Sequence, residues 1–373
     1  MTALRPVEEL SDPLATWLGT KLGVDGVTID DVSRPAAGQS NDTVLITASF
    51  PQGLGRASER LVIRRQSTGT TIFRDPDVIR EFRVLEGLGG TRVPAPAVRW
   101  AETDPAVLGS PFFVMEQVAG RVPVGKPSIH TVGWLPDLTP SQVGRLWASA
   151  LDALVAVHEL DWRARHAFLV GDAGEGADAG SGFPAYVERL VGWYRWSTAG
   201  REYPITDAAA ELLQQGAAAV TTAPVLVWGD ARVGNMIFGD DLTVAAAIDW
   251  ETASVGPPEI DVAHWLFFDE FGTSAVGIEP LDGWPDREST IARYEAASGR
   301  RLGDLTLFDV LDGLFMAGTL IRQADARVAR GVAPPDTRMG HDNTVTQMLA
   351  RRLGMPVPEL SRDYLAHRGM PTP

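Results

Sequence analysis

Asp230, Asn235 and Asp249 stand where short apolar runs stop in VLVWGDARVGNMIFGDDLTVAAAIDWE (225–251). A strand end holds a ligand rigidly and hides a carboxylate poorly. Carboxylate and amide oxygens suit a hard divalent cation, and a carboxylate can take a proton from a hydroxyl. Arg232, two residues after Asp230, adds a fixed cation. One Asp at a strand end is usually a turn residue or a helix cap. Three such residues at these spacings, with an arginine among them, are hard to produce by turns alone.

The elements that must position them divide by period. Strand patterns occur at 27–33, 42–50, 60–65, 98–102 and 112–117, after a helical pattern at 7–22. A helix over 77–88 follows the third strand, with Ile79, Phe82, Leu85 and Leu88 on one face and Gly89-Gly90 ending it. Beyond Gly120 the pattern turns helical. In 141–160, Val143, Trp147, Ala150, Leu151, Leu154 and His158 make one stripe, which reads His158 as a core residue. Further helices are expected at 183–197, 207–219, 258–270, 286–298, 304–330 and 341–353, and a loop at 172–184. Short β segments at 225–249 interrupt this α-rich region as a hairpin insert. The expected domains are 1–118, a β-rich lobe, and 119–373, a helical lobe.

Composition excludes several chemistries. The chain has 373 residues and no cysteine, so disulfides and thiolate sites are absent. A formal net charge of -15 argues against nucleic acid, which needs a basic surface. The N-terminus is too polar and acidic for a secretion signal, and no apolar run reaches the ~18–20 residues that span a bilayer. A cytoplasmic protein without membrane or nucleic-acid partners is expected. Lys126 precedes Pro127 and Lys21 precedes Leu22, so no P-loop exists, and neither a Gly-x-Gly-x-x-Gly turn nor a Gly-x-Ser-x-Gly elbow occurs.

Asp230, Arg232 and Asn235 match the positions of Asp, Lys and Asn in a kinase catalytic loop, and Asp249 falls where a second metal-binding Asp would sit. WGDARVGNMIF, AAAIDWE and SVGPPEIDVAHWL resemble the aminoglycoside phosphotransferase and choline kinase-like family across roughly residues 30–330. LVIRRQ, REFRVLEGL, VPAPAVRWAE and GSPFFVMEQVAGRVP resemble a branch that includes phosphotransferase domains fused to acyl-CoA dehydrogenases. The resemblance implies an α+β, bilobal protein-kinase-like fold with a small five-stranded antiparallel N-lobe and a larger, mainly helical C-lobe.

It also implies roles. Asp230 would take the acceptor proton and Arg232 would lie against the transferring phosphate. Asn235 and Asp249 would hold Mg2+. Gly38, Gln39, Ser40 and Asn41 would cover the phosphates of ATP. Arg64 stands in place of the kinase lysine and would pair with Glu81. Met115 would guard the adenine pocket, with the backbone of Glu116, Gln117 and Val118 along its edge. Asp261 would support the loop from behind. Trp228 replaces the usual His, which puts the bracing of the loop in question. Arg65, next to Arg64, is expected at the surface, and His264 is read as packing. The expected partner is a small-molecule hydroxyl acceptor: aminoglycoside-like, with acidic 269–288 as a wall, or a hydroxyacyl-CoA met by Arg322, Arg327 and Arg330. A catalytically degenerate nucleotide-binding module is the reading from another class.

Overall fold

The computed structural model describes residues 6–35, 41–53, 55–68, 71–170 and 182–371. Gly38, Gln39, Ser40 and 172–181 of the expected loop lie outside that set. Two compact units form, one of residues 1–90 with 95–119, the other of 91–94 with 120–373. Pro94 belongs with the second because its carbonyl accepts from Ala247 N at 2.7 Å. Among the described residues, no helix is long and apolar enough to cross a membrane.

The first unit begins with α1 (Ser11–Leu22), β1 (Thr28–Ser33), β2 (Asp42–Gln52) and β3 (Gly55–Arg65). It continues through α2 (Val78–Leu88), β4 (Val98–Glu102) and β5 (Phe112–Glu116). The sheet order is β1-β2-β3-β5-β4, and every pair is antiparallel. Strand alternation puts Val44, Ile46, Leu61, Ile63, Phe112 and Val114 on one face, packed with Leu14, Trp17 and Leu18 of α1. The opposite face, with Arg64 and Phe113 paired across β3 and β5, meets α2.

The same alternation corrects the expectation for Arg65. It follows Leu61 and Ile63 onto the α1 face and is fully buried rather than superficial. A buried guanidinium requires a partner, and Arg65 Nε donates to Asp42 Oδ2 at 2.8 Å. The burial face of α2 differs too. Val78, Glu81, Val84, Leu85 and Leu88 are buried, whereas Ile79 and Phe82 are only half-buried. Glu81 occupies an inner position because Arg64 meets it there.

In the second unit, α3 (Pro140–His158) starts at a capping box formed by Thr139 and Gln142, with Pro140 at the first position. Then come α4 (Trp162–Arg165), α5 (Phe183–Thr198) and α6 (Pro204–Gly216). Four short strands follow: β6 (Val225–Val227), β7 (Met236–Phe238), β8 (Val244–Ala247) and β9 (Ser254–Gly256). β7 pairs with β8 as a hairpin, and β6 pairs with β9 across it in sequence. The chain continues with α7 (Glu259–Gly272), α8 (Arg287–Ser298), α9 (Thr306–Ala329), α10 (Thr344–Leu353) and α11 (Arg362–Arg368). The 24-residue α9 packs against α5, α6, α7 and α10 and forms the centre of the helical core. α11 buries Tyr364 and Leu365, in a tail whose sequence pattern is too rich in proline to announce a helix.

Candidate active site

All of the opening motif lies in the second unit, on the two short strand pairs. β6 leads into Trp228 and Gly229. Gly229 has φ +88°, and an added Cβ would stand 2.6 Å from Thr252 O. Only glycine turns the chain there. A Gly229→Ala variant is expected to lose about 2–3 kcal/mol through strain and clash together. Its denaturant midpoint, compared with that of the parent, checks this.

Asp261, fully buried at the start of α7, holds the turn from behind. Its Oδ2 accepts from Trp228 N and its Oδ1 from Gly229 N, both at 2.7 Å. His158 is in the core, as its stripe indicates, and does more than fill space. Its Nε2 lies 3.0 Å from Asp261 Oδ2 and its Nδ1 lies 2.7 Å from Tyr294 Oη.

Trp228 also braces the loop. Its Nε1–H donates to Ile248 O at 3.1 Å and to Asp249 O at 3.3 Å, and its ring stacks on Trp250. An indole cannot accept a hydrogen bond, but the carbonyls that need a donor are met. The question raised by the missing histidine is thereby answered.

Beyond the turn, Asp230 Oδ1 accepts from Arg232 Nε at 2.8 Å, and the side chains of Asp230 and Arg232 remain 21% and 31% exposed. Asn235 ends a 3₁₀ turn. Its Nδ2 donates to Asp230 O at 3.0 Å, which commits the amide nitrogen and leaves the amide oxygen for a ligand. Ile248 N donates to Asn235 O at 2.9 Å, tying the two strand ends together. Asp249 follows with φ +65°, a left-handed conformation uncommon outside glycine and tolerated best by Asp and Asn. Its charge helps raise the Arg232 guanidinium, after burial opposes this and Asp230 outweighs the burial. An amide oxygen and a carboxylate on linked strand ends are a donor set that fits Mg2+, which takes the rest of its shell from water and phosphate.

His264 is not packing alone. Its Nε2 lies 2.9 Å from Asp230 Oδ1 and its Nδ1 lies 3.0 Å from Asp312 Oδ1 on α9. Burial alone would raise the Asp230 carboxyl, but Arg232 and then His264 hold it well below the usual carboxylate range. Burial opposes protonation of His264, yet Asp230 and Asp312 carry it up to about 9. Burial pushes Asp312 up to about 6 against the pull of His264. The signal for His264 was in the sequence: it stands three residues after Asp261 on one helix, so both share a face.

Beside Arg232 is a cavity of about 130 Å³ whose lining includes Arg232, Trp265, Phe268, Asp269, Trp284 and Arg368. The guanidinium of Arg232 lies 4.9 Å from the Phe268 ring centre. Burial pushes the Asp269 carboxyl up to about 7, against the neighbouring indoles of Trp284 and Trp265.

In the first unit, Arg64 and Glu81 form an ion pair at 3.2 Å with side chains 10% and 2% exposed. Thr43 Oγ1 accepts from Arg64 Nη1 at 3.0 Å. Asn41 is buried, with Oδ1 accepting from Ser67 N at 3.3 Å. Met115 is half-buried and Glu116 exposed. Glu116 N donates to Ala97 O at 2.9 Å and Gln117 N to Arg60 O at 3.1 Å. Those two donors are spent within the first unit, which leaves the Val118 N–H as the donor of that expected edge.

The protein-kinase-like phosphotransferase fold is shared with solved structures. A putative aminoglycoside phosphotransferase from Ralstonia eutropha aligns with TM-score 0.65 at 25% identity, over 92% of this chain and 98% of that one. A thermostable mutant of aminoglycoside phosphotransferase APH(4)-Ia, in ternary complex with ADP and hygromycin B, gives TM-score 0.55 at 15% identity over 91% and 98%. Such a fold, carrying these residues on its loop, defines a small-molecule kinase. Residues 31–304 match the phosphotransferase enzyme family, and the chain belongs to it. Among curated relatives, acyl-CoA dehydrogenase family member 10 of Mus musculus is 28% identical over 267 residues, 70% of this chain and 23% of that protein. Probable acyl-CoA dehydrogenase IBR3 of Arabidopsis thaliana is 30% identical over 245 residues, 62% of this chain and 27% of that protein. The chain spans about a quarter of the length of these relatives.

Proposed function

We propose that the chain moves the γ-phosphate of ATP onto a hydroxyl of a small molecule seated in the aromatic cavity beside Arg232. The observation that carries this reading is the Asp230–Arg232 pair, whose carboxylate and guanidinium both remain partly exposed and whose arginine lines that cavity. The acceptor oxygen bonds to phosphorus as the bond to the ADP oxygen breaks, and the acceptor proton passes to Asp230. Phosphoryl transfer asks mainly for positioning and charge neutralisation, and Arg232 supplies a permanent cation for the second. Asn235 and Asp249 would hold Mg2+, which neutralises phosphate charge when bound. In the first unit, Arg64, fixed by Glu81, offers its guanidinium to phosphate oxygens. Val118 N–H offers a donor to the base, and covering the phosphates is the role that the family resemblance implies for Gly38, Gln39, Ser40 and Asn41.

An aminoglycoside-like acceptor is supported by the name of the Ralstonia eutropha relative and by Asp269, a carboxylate able to meet an ammonium group. A second reading, a hydroxyacyl-CoA, is favoured by the character of the cavity. Its aromatic walls and two arginines suit an acyl segment and anions better than a polycation. Of the acidic stretch 269–288, Glu270 is tied to Arg352, which neutralises its charge. The curated relatives named as acyl-CoA dehydrogenases point the same way.

The test is transfer from γ-labelled ATP, with Mg2+, into pools of aminoglycosides, amino alcohols, sugars and hydroxyacyl-CoAs. Label in one pool supports the kinase and names its acceptor class. Nucleotide binding without label in any pool favours the binding-module reading instead. Asp249→Asn removes one anionic metal ligand and is expected to weaken Mg2+-dependent ATP binding by at least ~10-fold. Calorimetric titration with and without Mg2+ checks this, and an unchanged affinity would mean the metal is held elsewhere.

A further inference from the structure

His264 lies between two carboxylates inside the second unit, with its side chain 1% exposed. Asp312, 2% exposed, is equally enclosed. An ionised carboxylate can only accept, so a ring nitrogen facing one must carry a hydrogen. With Asp230 and Asp312 both ionised the ring is an imidazolium, with Nε2 2.9 Å from Asp230 Oδ1 and Nδ1 3.0 Å from Asp312 Oδ1. Asp312 Oδ2 is buried with no other partner among the described residues, so His264 is the group that Asp312 serves. Phe268 and Phe315 flank the ring and exclude water.

The two oxygens of Asp230 are treated unequally. Oδ1 accepts from both Arg232 Nε at 2.8 Å and His264 Nε2 at 2.9 Å. Oδ2 has only a long contact to Arg232 Nη2 at 3.4 Å. Two donors on one oxygen fix the rotation of the carboxylate, and the single long contact on the other leaves it a lone pair to spend.

We propose that His264, clamped by Asp312, is a positioning residue that fixes Asp230 through Oδ1 and so selects Oδ2 as the oxygen that receives the acceptor proton. This rests on the phosphotransfer reading above. The charges bearing on the clamp are Asp230 and Arg232 from the loop, Asp312 and Asp309 from α9, and Asp261 from the same helix as His264.

Two measurements on the full chain test it. Histidine ¹⁵N NMR at pH 7.5 is expected to find both His264 nitrogens protonated, with the proton lost near pH 9 and at least one pH unit lower in Asp312→Asn. A neutral ring at pH 7.5 would overturn the clamp. Labelled-ATP transfer into the four acceptor pools, run at saturating ATP, is expected to lose at least 100-fold in kcat for His264→Phe. His264→Gln, whose amide can still donate to Asp230, recovers at least tenfold of that loss, and KM for ATP stays within twofold throughout. Thermal melting identifies any variant that fails to fold. In that event Asp312→Asn, which leaves Asp230 and His264 in place, carries the kinetic test with an expected loss of at least tenfold. Variants that fold and turn over within twofold of the parent would overturn the positioning role alone. A parent chain that transfers label to no pool counts against the phosphotransfer reading, and the positioning role falls with it.

Discussion

Asp230→Ala is expected to lower kcat for phosphate transfer by roughly 10³-fold, within the range for loss of a positioned general base. Nucleotide affinity should change little, because Asp230 is not among the residues proposed to hold the nucleotide or its Mg2+. The substitution leaves the Arg232 guanidinium and the His264 imidazolium without their shared anion. His264 then loses one of the two carboxylates that keep it protonated, so the ring titrates at lower pH than in the parent. Asp230→Asn keeps the shape and an acceptor oxygen but forfeits the proton-accepting group. Both variants should be inactive, with Asp230→Asn the less disturbed in stability. Single-turnover transfer and calorimetric ATP binding separate the two effects, and turnover equal to the parent in either variant would remove Asp230 from the chemistry.

Asp261→Ala carries the largest expected cost in stability, about 3–5 kcal/mol, the range for stranding partners of a buried charge. Three donors lose their acceptor at once: Trp228 N, Gly229 N and His158 Nε2. None of these can turn to water, since Trp228, Gly229 and His158 are all buried. The backbone N–H groups of the turn before Asp230 are the ones released, so loss of catalysis should accompany loss of stability. Denaturant unfolding and transfer assays at low temperature measure both. A variant that unfolds at the same denaturant concentration as the parent would show that the turn is held by something other than Asp261.

How much of this was legible in the sequence depended on whether the signal was local. The five strands and α2 followed from alternation and from turn residues within a few positions, and α3 from its apolar stripe. The loop residues Asp230, Arg232 and Asn235 announced themselves by spacing. What escaped were pairings across distance. Arg65 was expected at the surface because it alternates with Arg64, but the face opposite Arg64 is the one covered by α1. Period two says which residues share a face and not which face is wet. Glu81 shifted the buried face of α2 by meeting Arg64, seventeen residues earlier in the chain. His264 shares a face with Asp261, which was legible, but its partners Asp230 and Asp312 are thirty-four and forty-eight residues away, which was not. Trp228 was judged by the acceptor it lacks, and the donor it offers to Asp249 O depends on the return of β8 toward β6.

The cavity wall supplied by α11 has a consequence for how such a chain diversifies. Arg368 lines the cavity beside Arg232, donates to Pro127 O at 2.8 Å and stacks over Phe271. It lies well outside residues 31–304, the stretch that matches the family. The loop that carries Asp230 and one wall of the proposed acceptor pocket thus lie in separate segments of the chain. Substitutions in the short terminal helix would change which molecule is admitted and leave Asp230, Asn235 and Asp249 untouched.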